Sequence, residues 1–142
     1  AVKVVIAAVG ATAREGDAWM LNSPWNGGTH LPDVTVITPV FVDGRAAFWL
    51  GSRGHHADIG GRTPGSGPPD STVIEEEGVV IDLFPLVAGG RLREAETRAL
   101  LGSGRWPCRS PDQNIADLKA QVAANETGRR ELLRVVDRHG AE

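Results

Sequence analysis

An Asp43-Gly44 dipeptide stands between two β-rich runs, DVTVITPVFV and RAAFWLGSR, and no other feature constrains the fold as strongly. Both central residues of a type I′ turn need positive φ, which Asp tolerates and Gly adopts freely, so the pair predicts a two-residue hairpin. Taken literally, the turn sets Val42 opposite Arg45, and the pairing runs back through Phe41/Ala46, Pro39/Phe48, Ile37/Leu50 and Thr35/Ser52. That face is apolar and is expected to pack on a core. Pro39 falls at a non-hydrogen-bonded pair, so its missing N–H points outward and implies no partner strand on that side.

Around the hairpin the pattern is less regular. The run VKVVIAAV at 2–9 is too short for periodicity to choose between strand and helix end. Residues 54–71, GHHADIGGRTPGSGPPDS, hold too much glycine and proline for a regular element. Val73 to Leu86 alternates around Glu75-Glu76-Glu77 and reads as strand, turn, strand, with the glutamates in a solvated turn. Residues 91–101 are strong helix formers stopped by Gly102. Ser110-Pro-Asp-Gln113 is a capping box with proline at the first helical position, opening a helix that carries Ile115, Leu118 and Val122. A separate final helix runs through Leu132, Leu133 and Val136 to near Gly140. The expected architecture is α+β: a central β-hairpin and sheet region with a Gly-rich His/Asp loop, followed by C-terminal helices. Residues 1–142 form a single domain or a fragment of a larger chain, since Ala1 opens inside an apolar run without a methionine.

Several function classes are excluded by residue usage. A net charge of −3, from 15 basic and 18 acidic residues, argues against a nucleic-acid or anionic-membrane binder. Neither lysine, Lys3 or Lys119, sits in a glycine-rich loop before Ser or Thr, so there is no P-loop. Without tyrosine there is no phenolic acid. The single cysteine, Cys108, forms neither an internal disulfide nor a multi-thiolate metal site. With no signal-peptide pattern and no long apolar run, a reducing, cytoplasmic setting is expected.

Three of the four histidines lie between positions 30 and 56, in Gly27-Gly28-Thr29-His30-Leu31-Pro32-Asp33 and His55-His56-Ala57-Asp58. Imidazole nitrogens and carboxylate oxygens without thiolates suit zinc, manganese or ferrous iron. Either string alone is weak. The hairpin strengthens them, because its register sets Asp33 opposite Gly54, Pro32 opposite His55 and Leu31 opposite His56, at the end remote from the turn. Strict parity would put His56 rather than His55 on the face of Asp33, but Pro32 and Gly54 can both break parity, so either remains open. Arg53 can clamp a carboxylate or phosphate. Asp58 can be a ligand, an orienter of an imidazole or a proton carrier. The competing reading is that these side chains only tie loops together by hydrogen bonds.

The strings GDAWMLNSPWNGGTHLPDVTVITPVF, SRGHHADIGGRTPGS, EEEGVVI and DLKAQVAA, in this order, resemble the hydantoinase B/oxoprolinase family from about Gly16 to the C-terminus. Ser23, Trp25 and Gly67 depart from the aspartate, tyrosine and methionine usual in the family. The resemblance implies ATP-driven opening of cyclic amides such as 5-oxoproline or hydantoin rings, with ATP bound by a hydantoinase A-type subunit or domain. It implies a divalent metal (Mn, Zn or Fe) held by His30, Asp33 and His55, with His56 and Asp58 next in line. Asp58 or His56 would then move protons, and Arg53 would hold the substrate's acid group. Two alternatives follow: an acetone-type ATP-dependent carboxylase large subunit, or a non-catalytic assembly module with a structural His/Asp cluster.

Overall fold

The computed structural model describes residues 1–140. In chain order it contains α1 (Val2–Val9), β1 (Ala18–Leu21), β2 (Asp33–Val42), β3 (Arg45–His55), β4 (Phe84–Ala88), β5 (Arg91–Leu92), α2 (Glu94–Leu101) and α3 (Pro111–His139), with single 3-10 turns at Pro24–Asn26 and Ile74–Glu76. The strands form one antiparallel sheet in the order β3-β2-β1-β4-β5. The fold is α+β.

The sheet is covered on both faces, and strand alternation decides which residues go where. Trp19, Leu21 and Ile37 face α1 and pack with Val5, Val2 and Val9 of that helix. The 2, 5, 9 spacing is helical, which settles the 2–9 run as a helix. Ala18, Met20, Val34 and Val36 face the other way, onto Leu101 of α2 and Ile115 and Leu118 of α3. Because both faces of β1 are covered, AWML is apolar without a break and wholly buried. Among the described residues no helix is long and apolar enough to cross a membrane.

The hairpin turn forms as expected, with φ of 51° at Asp43 and 76° at Gly44. The register beyond it differs. Val42↔Arg45 and Phe41↔Ala46 hold, but the next pair is Val40↔Phe48, leaving Ala47 as a bulge. Every later pair is displaced by one residue: Pro39 opposes Trp49, Thr35 opposes Arg53, and Asp33 opposes His55 instead of Gly54. Pro39 lies beyond the end of β1, whose pairs stop at Trp19↔Ile37, so β2 has no second neighbour there.

Four further expectations are corrected. Of residues 73–86, Phe84–Leu86 are strand, as the start of β4, but the expected first strand is a 3-10 turn at Ile74–Glu76, and the glutamates are not a free solvated turn. The Glu76 carboxylate accepts from the Thr72 N–H (2.8 Å) and the Glu77 carboxylate from the Ser71 hydroxyl (2.7 Å), folding the segment back on itself. Residues 91–92 belong to a second two-residue hairpin turned by Gly89-Gly90, both at positive φ, so α2 begins only at Glu94. The last two helices are one helix of 29 residues. Asn125, in the middle of the presumed break, keeps its backbone helical and points its amide into β2. At the start of α3 Pro111 takes the first turn, while Ser110 makes no side-chain cap.

Candidate metal centre

The bulge at Ala47 builds the site. It makes Asp33 and His55 direct cross-strand partners, with Thr35 and Arg53 the next pair on the same face, the one that α1 covers farther along. His55 and His56 therefore point to opposite faces of the sheet, and the parity question is answered for His55.

His55 Nδ1–H donates to Asp33 Oδ1 at 2.9 Å. The His30 ring lies 5.6 Å from the His55 ring, centroid to centroid. One donor atom from each of His30, Asp33 and His55 falls within 4.8 Å of the others. The histidines are exposed and Asp33 is half-buried, which leaves an open side. Two imidazoles and one carboxylate with open positions fit a divalent Mn, Zn or Fe ion.

His30 is placed from a distance. Asn22, fully buried, donates its amide to the carbonyls of Leu31 (2.8 Å) and Val79 (2.9 Å) and accepts from the Ile81 N–H (2.6 Å). The Asp33 N–H then closes a turn on the His30 carbonyl. A chain of polar contacts continues the site. Arg53 donates through Nε to Thr35 Oγ1 (3.0 Å), through Nη1 to Thr29 Oγ1 (3.4 Å) and through Nη2 to the Gly27 carbonyl (3.4 Å). The Thr29 hydroxyl in turn donates to Asp33 Oδ2. The hydrogen bond from His55, opposed by burial and helped by Thr29, holds the Asp33 carboxyl below the usual aspartate range. Trp25, a departure from the family pattern, is 73% exposed on the segment leading to His30.

Sequence reasoning grouped His56 and Asp58 with these residues, and the structure does not bring them into the triad. His56 is 1% exposed on the α3 side. Its Nδ1 accepts from the Asn114 amide (3.0 Å) and its Nε2–H donates to Gln121 Oε1 (3.2 Å). Asp58 anchors the Gly-rich loop: it accepts from the N–H groups of Gly60 (2.9 Å) and Arg109 (3.1 Å) and from the Arg109 guanidinium (2.7 Å). Burial alone would raise the Asp58 carboxyl, but those hydrogen bonds outweigh it and hold the group low. A carboxylate whose folded pKa is depressed stabilises the fold above its unfolded value near 4, and that contribution disappears as pH falls through the folded value. Asp58→Asn is therefore expected to lower the urea midpoint at pH 6, and the gap to the wild type should close below about pH 4. A gap that stays constant down to pH 3 would show that the charge on Asp58 is not the source.

Asn22, Thr29, Thr35, Asn114 and Gln121 were not singled out in the sequence. Only Asn22 and Thr29 carried a signal, as members of the NSPWNGGTH string next to the ligand candidates.

Comparison with known proteins gives one consistent picture. The sequence model of the family described as Hydantoinase B/oxoprolinase matches residues 1–142. The 5-oxoprolinase of Dictyostelium discoideum is 42% identical over 142 residues, covering 100% of this chain and 11% of that protein. Caprolactamase subunit beta of Pseudomonas jessenii is 35% identical over 142 residues, 100% of this chain and 24% of the relative. The crystal structure of the ATP-dependent caprolactamase from that organism matches with a TM-score of 0.86 and 35% identity, over 98% of this chain and 23% of that one. A nucleotide-free structure of acetone carboxylase shares the fold, with a TM-score of 0.83 at 22% identity over 98% of this chain and 18% of that one. The chain thus spans about a tenth of the 5-oxoprolinase and about a quarter of the caprolactamase subunit.

Proposed function

The chain belongs to the hydantoinase B/oxoprolinase family, and from that premise we propose that it is the metal-holding segment of an ATP-dependent enzyme that opens cyclic amides. The observation that carries this reading is the convergence of His30, Asp33 and His55 at one open end of the hairpin, with Arg53 beside them. When bound there, a divalent ion supplies Lewis acidity toward an amide or phosphorylated amide.

The chain's own residues do the positioning. Asp33 orients the His55 ring through Nδ1, and Thr29 connects the same carboxylate to Arg53. Three of the five guanidinium N–H groups of Arg53 are taken by Thr35, Thr29 and Gly27, leaving two for a substrate carboxylate. In this reading His56 and Asp58 hold the scaffold instead of moving protons, because one is sealed against α3 and the other is tied to Arg109. Nucleotide binding falls to a hydantoinase A-type subunit or domain, in keeping with Lys3 and Lys119 lying outside any glycine-rich loop. The relatives support such a division: one is named a subunit, and one is described as ATP-dependent.

The test is Arg53→Ala in the enzyme that carries this segment, assembled with its nucleotide-binding partner and ATP. With 5-oxoproline, which bears a carboxylate, KM should rise by roughly tenfold or more, as expected for a lost charged hydrogen bond. With a lactam that has no acid group KM should not change. Equal effects on both substrates would remove Arg53 from substrate binding. Ring opening that proceeds without ATP would overturn the reading as a whole.

A further inference from the structure

The hairpin has two registers open to it, and its turn does not choose between them. Val42↔Arg45 and Phe41↔Ala46 are the same in both. Without a bulge the strands would continue in step, Asp33 opposite Gly54 and Val34 opposite Arg53. With Ala47 bulged, Asp33 opposes His55 and Val34 opposes Gly54. A slip of one residue turns every side chain of β3 beyond Ala47 to the other face. Whatever selects the bulged register must therefore act beyond Ala47: Trp49 does so by packing with Trp19 on the α1 face, and the contacts at the triad end do so where Asp33 and His55 meet.

Gln121 of α3 acts there on both strands. Its amide donates to the Val34 carbonyl on β2 (2.9 Å) and the Ser52 carbonyl on β3 (3.2 Å), while its Oε1 accepts from His56 Nε2–H. The Ser52 hydroxyl returns a bond to the Gln121 carbonyl. Space matters as much as bonding. A Cβ on Gly54 would lie 3.1 Å from Gln121 Cδ and 3.2 Å from Oε1, so the amide fills the place where residue 54 has no side chain. In the slipped register Arg53 would stand opposite Val34, and its side chain would meet that amide. Asn114 adds the second bond to His56 and donates as well to the Asp58 carbonyl (2.8 Å), while its own Oδ1 is buried without a partner among the described residues.

We propose that Gln121, acting with His56, is the positioning residue that selects the bulged register and so brings His55 to Asp33. The clamp on register stands by itself; its consequence for metal depends on the function proposed above. Pinning His56 inward forces His55 outward, since neighbours on a strand alternate.

The test compares Gln121→Met with Asn125→Met in the full chain. Asn125 also donates two bonds from α3 to β2, a buried one to the Val36 carbonyl and a part-buried one to the Thr38 hydroxyl, away from the triad. Mn²⁺ is titrated into each, and backbone contacts between Asp33 and His55 are read by NMR. Gln121→Met should weaken Mn²⁺ binding by about 10-fold to 100-fold, the range for a residue that orients a metal ligand, and should lose the Asp33–His55 contacts. Asn125→Met should lower the melting temperature and leave both readouts as in the wild type. Unchanged Mn²⁺ binding and contacts in Gln121→Met, or equal losses in both variants, would overturn the proposal. If the wild type itself binds no Mn²⁺, the metal reading fails, and the NMR contacts alone decide the clamp. If Gln121→Met does not fold, Gly54→Ala, which presses on the same amide, takes its place: intact contacts in that variant overturn the proposal.

Discussion

Alanine at His30, Asp33 or His55 is expected to strip divalent metal from the purified chain while leaving its fold intact. Residues that merely orient a ligand cost about 10-fold to 100-fold in affinity when changed, so removing a donor should cost more than about 100-fold. The penalty in stability should be small. His55 is 61% exposed at its side chain, and polar contacts made by groups so exposed contribute about 0–1 kcal/mol. Elemental analysis of the three variants beside the wild type is the measurement. Near-stoichiometric manganese, zinc or iron in the wild type, and loss in all three variants, makes the triad one shared site. Metal retained by every variant would move the site elsewhere. A wild type that takes no metal even when it is added back would leave the cluster as the hydrogen-bonded end of a hairpin.

Why these residues were visible in the sequence, and others were not, has a physical reason. The Asp43-Gly44 turn is local chemistry, and it fixes that the strings around His30 and His55 meet. Which residue of β3 stands opposite Asp33 is not local. The bulge at Ala47 changes no turn residue and falls in Arg-Ala-Ala-Phe, where nothing announces it. What selects it is on α3, more than sixty residues later in the chain. There the stripe of Ile115, Leu118 and Val122 marked the core face, and the buried amides of Asn114, Gln121 and Asn125 carried no pattern that set them apart. A polar residue on a buried helix face looks like solvent-facing sequence until its carbonyl partners on a strand are known. Asn22 is hidden in the same way, since Val79 and Ile81, two of its partners, lie far along the chain. The Gly89-Gly90 turn was legible by the same rule as Asp43-Gly44, but the acidic triplet before it drew the strand assignment to 73–86.

The Gly-rich loop allows a sharper test, because composition alone would make residues 54–71 a floppy surface linker. Gly60 has φ of +88°, and a Cβ there would lie 2.4 Å from the Trp106 carbonyl oxygen. Backbone meets backbone at that point, and the Gly61 N–H donates to the same carbonyl at 2.9 Å. Gly65 has a similar φ of +80°, and none of the described residues comes within 4 Å of its would-be Cβ. Alanine at Gly65 should therefore cost only the left-handed backbone, about 1–2 kcal/mol. Alanine at Gly60 carries that cost, must push Trp106 away, and gives up a hydrogen bond worth about 1 kcal/mol. A total of about 3 kcal/mol or more is expected, lowering the melting temperature by roughly 10 °C in a chain of this size. The difference between the two variants isolates the close approach from the backbone conformation. If Gly60→Ala and Gly65→Ala melt together, the loop yields at Trp106 and is not docked there. If Gly60→Ala alone falls, the segment that carries Asp58 onto Arg109 and His56 onto α3 is held by packing of backbone on backbone, which no count of glycines could have revealed.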